Sequence, residues 1–73
     1  MMNVHDFCNT CVSGTTVKLS FFDISSKDFI VDVVFNDAKK GSSTLGSAFD
    51  YATIESIYVS AAVVCCECYV LNA

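Results

Sequence analysis

The sequence predicts one small α+β domain over residues 1–73. The expected order is α-β-β-α-β, with a three-stranded antiparallel sheet and its helices on one face. Three observations point there. The N-terminal stretch carries apolar residues at helical spacing. Two central stretches alternate with a period of two. The C-terminal stretch is rich in Val, Ile, Tyr and Cys and holds neither Gly nor Pro.

The first element is a helix over 4–12. Val4, Phe7, Cys8, Cys11 and Val12 follow the i, i+3, i+4, i+7, i+8 pattern of an amphipathic helix. Asn3 is the N-cap, Asp6 suits the first turn, and Gly14 is placed to end the helix. A helix this short needs a docked apolar face. Next come two strands, 15–22 and 29–36. Val17, Leu19 and Phe21 share one face of the first; Phe29, Val31, Val33 and Phe35 share one face of the second. The turn-rich stretch 23–28 joins them as an antiparallel hairpin. Residues 37–46 read as a polar loop. Ser47 with Asp50 resembles a helix cap, and Leu45, Ala48, Phe49 and Ala52 recur at helical spacing, so a helix is expected over 47–55. Residues 57–71 read as one strand, bent if it is to pair along its length and long against the usual five or six residues; its length and its lack of Gly and Pro would also permit the helix to continue.

Composition narrows the function. A chain of 73 residues buries only about 60% of the surface its unfolded form exposes. Yet 53% of its residues are apolar and 16% are charged. The surplus apolar surface calls for a homodimer seam or a partner protein. The net charge is −4, Arg is absent, and no Lys follows Lys40. Direct nucleic-acid binding needs a basic footprint and is disfavoured. An acidic chain suits a basic partner, including a protein that itself holds nucleic acid. Residues 1–12 show neither a basic n-region nor an apolar run, and 57–71 is too short to span a bilayer and carries Glu67. The expectation is a cytoplasmic protein, in the host interior if the source is viral, with no membrane contact. Its cysteines are then thiols or metal ligands.

Two Cys-x-x-Cys pairs carry the sharpest chemical signal. Cys8 with Cys11 and Cys65 with Cys68 would make a tetrahedral zinc site, with His5 as a substitute ligand. Against it, Cys65 and Cys68 point to opposite faces of a regular strand, and neither pair is followed by the Gly usual in zinc knuckles. Small buried thiols are the simpler reading, with no cofactor. A thioredoxin-like thiol is weaker still, since Cys8 lies inside its helix and not at the N-terminal pole. His5 and Cys8 could touch on the helix, but no third orienting group is identifiable. No catalytic residue is assigned.

The resulting expectation is a non-enzymatic interaction module. It would be a small acidic inhibitor or modulator that docks a larger protein through aromatics bordered by acids. Asp50, Tyr51, Glu55 and Tyr58 are the expected contact residues, with Phe22 a further exposed aromatic. Phage-encoded inhibitors of host defence nucleases, such as anti-CRISPR proteins, share this general character by class and not by motif. The alternative is a zinc-stapled structural module.

Overall fold

The computed structural model describes residues 2–71. Helix α1 (Val4–Thr10) starts where expected, because the Asn3 side-chain oxygen accepts the Asp6 N–H at 2.8 Å. Val4 and Cys8, four apart, point inward and are fully buried. The helix stops at Thr10, two residues early, where Cys11 swings to an extended ψ of 146°. The segment before it pairs with the sheet. Ile54 N–H donates to Met2 O and Val4 N–H to Ala52 O, each at 3.0 Å.

Strands β1 (Val17–Asp23) and β2 (Phe29–Phe35) form the expected antiparallel hairpin, with Leu19 opposite Val33 and Phe21 opposite Val31. Asp23 Oδ1 organises the connection by accepting the N–H groups of Ser25 and Ser26 at 2.8 and 3.1 Å. The stretch expected as a polar loop holds α2 (Ala38–Gly41) and a 3-10 turn (Ser42–Thr44). The helix expected over 47–55 shrinks to the single turn α3 (Ser47–Asp50). Thr53, Ile54 and Glu55 leave it for a strand, drawn by backbone pairing to the N-terminal segment and to the next strand.

The sheet corrects the sequence-based expectation. It has four strands, not three, and it is mixed, in the order β2-β1-β4-β3. Residues expected as one bent strand fold back on themselves as β3 (Thr53–Ser60) and β4 (Val63–Val70). The turn between them is Ala61-Ala62, both left-handed at φ 51° and 64°. That is the conformation of a two-residue hairpin whose twist matches its strands. The α2–α3 connection carries the chain across the sheet to the far edge. β4 therefore enters beside β1 and runs parallel to it.

The strand registers align side chains in rows across the sheet. The helix-facing rows are Val31–Phe21–Cys68–Ile54, Val33–Leu19–Cys66–Ile57 and Phe35–Val17–Val64–Val59. Every member is apolar. Val4 and Cys8 of α1, Ala38 of α2, and Leu45, Phe49 and Ala52 cover the centre. Phe21 and Phe49 meet edge to face at 4.8 Å. Each large side chain buried here contributes roughly 1.5–3 kcal/mol. No helix among the described residues is long and apolar enough to cross a membrane.

Candidate functional site

Among the described residues no helix covers the opposite face of the sheet. Its rows are Phe29–Phe22–Tyr69–Thr53, Asp32–Ser20–Glu67–Ser56 and Val34–Lys18–Cys65–Tyr58. The first is a run of aromatic contacts. Phe22 lies 5.8 Å from Phe29 and 5.7 Å from Tyr69 between ring centroids. Lys27 folds its ammonium over Tyr69, 4.7 Å from the ring centre. The second row is polar, and within it Ser56 Oγ donates to Glu67 Oε1 at 2.6 Å. Lys18 Nζ lies 3.7 Å from Asp32 Oδ2. The third row is again largely apolar. Phe29, Val34 and Tyr58 remain 57%, 59% and 54% exposed.

An uncovered face is ordinary for an antiparallel sheet when its outward residues are polar. Here only half of them are, the other half being Phe22, Phe29, Val34, Tyr58, Cys65 and Tyr69, and the central pair β1–β4 is parallel. Parallel strands are normally covered on both faces. The helix-free face is thus an unfinished surface of the fold. No pocket of ligand size is present among the described residues.

The four contact residues expected from sequence do not form one patch. Asp50 and Tyr51 sit at the end of α3, on the helix side of the sheet. The Asp50 carboxylate is occupied. Its Oδ2 pairs with His5 Nδ1 at 2.8 Å and its Oδ1 accepts the Ser42 hydroxyl at 3.0 Å. Tyr51 is exposed and its ring stacks on His5 at 5.4 Å. Glu55 lies at the irregularity in β3, exposed. Tyr58 stands on the other face, opposite Cys65. Ser42, Asp50 and His5 resemble a hydrolase triad only in residue type. The aspartate is central and the serine donates to it, whereas nucleophile activation requires histidine between the two. The sequence offers no local signal for this His5–Asp50 pair, whose members lie 45 residues apart.

The cysteines divide between the faces. Cys8, Cys66 and Cys68 are buried in the helix-facing core. Cys11 packs at its margin and donates to Phe7 O at 3.3 Å. Cys65 points to the helix-free face beside Lys18 and Tyr58. The set Cys8, Cys11, Cys65 and Cys68 is therefore split by the sheet. Cys66, two residues from Cys68, takes the inward position instead. Among the described residues no group of three or more His, Cys, Asp or Glu side chains stands where it could hold a metal ion. All five cysteines are free thiols. Burial, reinforced by neighbouring thiols, pushes the Cys8 thiol up to about 11 and those of Cys66 and Cys68 up to about 12. These groups stay protonated and are poor nucleophiles or ligands.

No protein-family model, no curated protein and no solved structure matches the chain.

Proposed function

We propose that this chain is a non-enzymatic interaction module that docks a larger, basic protein through the helix-free face of its sheet and modulates it. One observation carries the reading. A parallel central strand pair lies uncovered beneath an aromatic row, Phe29–Phe22–Tyr69, with Val34 and Tyr58 exposed at the other end. Covering that face completes a sandwich the chain cannot complete alone. Phe29 and Tyr58 are the anchors this reading favours, since large aromatics dominate contact energies.

Charge supports a basic partner at long range. On the face itself Lys18 and Lys27 offset Asp32 and Glu67. The chain still carries −4 overall. Attraction to a basic surface acts mainly on the rate of encounter, and salt slows it.

Site-specific photo-crosslinking in cells tests the reading. A photoreactive residue at position 29 should capture one heterologous protein. The same residue at position 43, on the exposed 3-10 turn of the helix side, should not. Adducts that do not depend on the face, or none at all from position 29, would refute it.

A further inference from the structure

The outer edge of the sheet is distinct from the helix-free face. β3 is an edge strand. The N-terminal segment covers its beginning, since Asn3 bridges Thr53 and Met2 O accepts from Ile54 N–H. That cover ends at Ile54. An irregularity follows at Glu55. Beyond it run Ser56-Ile57-Tyr58-Val59-Ser60, without a charge and, among the described residues, without a strand paired on the outer side. Ile57 and Val59 face the helix layer, but the helices do not reach them. They are 49% and 69% exposed. Natural sheets protect such edges with charges, prolines or bulges. The other edge, β2, has a register irregularity near Phe29 and Asp32 in its middle. The Ser56–Ser60 stretch has no such protection.

The hydrogen-bonding sense of this edge follows from its turn. The two-residue loop Ala61-Ala62 makes Ser60 and Val63 the closing hydrogen-bonded pair. Pairs alternate from there without interruption back to Ser56–Glu67. Tyr58 therefore spends its N–H and C=O on Cys65. Ile57 and Val59 turn theirs outward.

We propose that a second copy of this chain pairs antiparallel along this edge, with a two-fold axis at Tyr58. The segment is nearly palindromic. About Tyr58, Ser56 meets Ser60 of the other copy, Ile57 meets Val59, and Tyr58 meets Tyr58. The outward N–H and C=O groups of Ile57 and Val59 then pair reciprocally across the axis. A two-fold seam demands this self-complementarity. Tyr58 falls at a non-hydrogen-bonded position, where opposed side chains approach most closely. Ile57 and Val59 of both copies close into one apolar patch beyond the helices. No like charges oppose each other, because Glu55 falls opposite Ala61. A five-residue seam lies at the small end of specific interfaces, near ~1,000 Å² in total. The dimer is therefore reversible and depends on concentration. Each copy carries −4, so raising salt strengthens it, the reverse of the expectation for a basic partner.

Sedimentation velocity from micromolar to millimolar concentration tests this, read together with amide hydrogen exchange. The mass should rise from 7.9 kDa towards twice that value. The amides of Ile57 and Val59 should gain protection on association, while that of Tyr58, already paired, should not change. Val59→Pro removes an outward donor and leaves the β3–β4 ladder whole. Val59→Asp buries a charge at the seam. Each should weaken the dimer about tenfold or more while the circular dichroism spectrum stays native. If the proline variant does not fold, Val59→Asp carries the test. A wild-type mass fixed at 7.9 kDa up to millimolar concentration overturns the proposal. So does a dimer that survives a folded Val59→Asp, or one that Val34→Lys on β2 abolishes.

Discussion

Gly41→Ala separates two opposing effects at one position. Gly41 closes α2 at φ −62° and ψ −36°, an ordinary right-handed helical conformation. Alanine there should gain about 0.8–1.0 kcal/mol of helix propensity. Gly41 is also buried, and a Cβ built on it falls against three carbons of the Phe35 ring. Phe35 is held in the last helix-facing row beside Val17 and cannot simply swing into solvent. Overpacking of this kind costs typically 1–3 kcal/mol, and a contact with ring carbons belongs in the upper part of that range. The clash wins, and the net loss is about 1–2 kcal/mol. For a domain of this size each kcal/mol corresponds to about 4–8 °C in melting temperature. Thermal unfolding followed by circular dichroism should show a drop of about 4–16 °C. Adding Phe35→Leu should recover part of it, so the double variant should be more stable than the sum of the single changes. A Gly41→Ala protein that melts at or above the wild-type temperature would refute the close packing of α2 on β2.

Two further outcomes follow from strained and buried groups. Ala61→Asn with Ala62→Gly places left-handed residues where φ is already 51° and 64°; urea denaturation should show a gain of about 1 kcal/mol or more, because each alanine there is strained by roughly 1–2 kcal/mol. Stability should fall at alkaline pH. Unfolded thiols release their protons near 9.0, whereas burial holds Cys8 to about 11 and Cys66 and Cys68 to about 12. Between those values the unfolded chain binds fewer protons, so the thiol contribution is complete below pH 9 and is lost as pH rises through 11 and 12. Denaturant midpoints across that window should fall steadily, and Cys66→Ala should show a shallower fall.

The sequence was most legible where side-chain alternation is strict. Val17, Leu19 and Phe21 announce a strand with one buried face; Val31, Val33 and Phe35 announce its partner, an edge strand on which Val31 stays exposed and Val33 and Phe35 are half-buried, and the hairpin follows from the turn residues between them. The C-terminal half was harder for a physical reason. The β3–β4 turn is Ala-Ala, and nothing in alanine signals a left-handed backbone. Without a turn, the stretch reads as one strand, the sheet has three strands, and no parallel pair arises. The same missing turn hides the rows that make up the helix-free face. The Cys-x-x-Cys spacing drew attention to Cys65 and Cys68. The informative spacing was Cys66 to Cys68, two residues apart, which marks the buried side of a strand. Tyr51 and Tyr58 were both recognisable as exposed aromatics. Their placement on opposite sides of the sheet depends on where α3 ends and β3 begins, and helix periodicity carried the helix past that point.

The most direct test is the dissociation constant of the protein captured from position 29, measured by isothermal titration against three alanine variants. Phe29→Ala and Tyr58→Ala remove anchors from the helix-free face; Tyr51→Ala removes an equally exposed aromatic from the helix side. Phe29 lies on the opposite sheet edge from β3, so its effect is independent of pairing between copies. The account expects Phe29→Ala and Tyr58→Ala each to weaken binding by roughly 2 kcal/mol, about thirtyfold, with melting curves preserved. Tyr51→Ala should bind as the wild type does. Binding lost on Tyr51→Ala and kept by Phe29→Ala would contradict the assignment of the helix-free face as the docking surface.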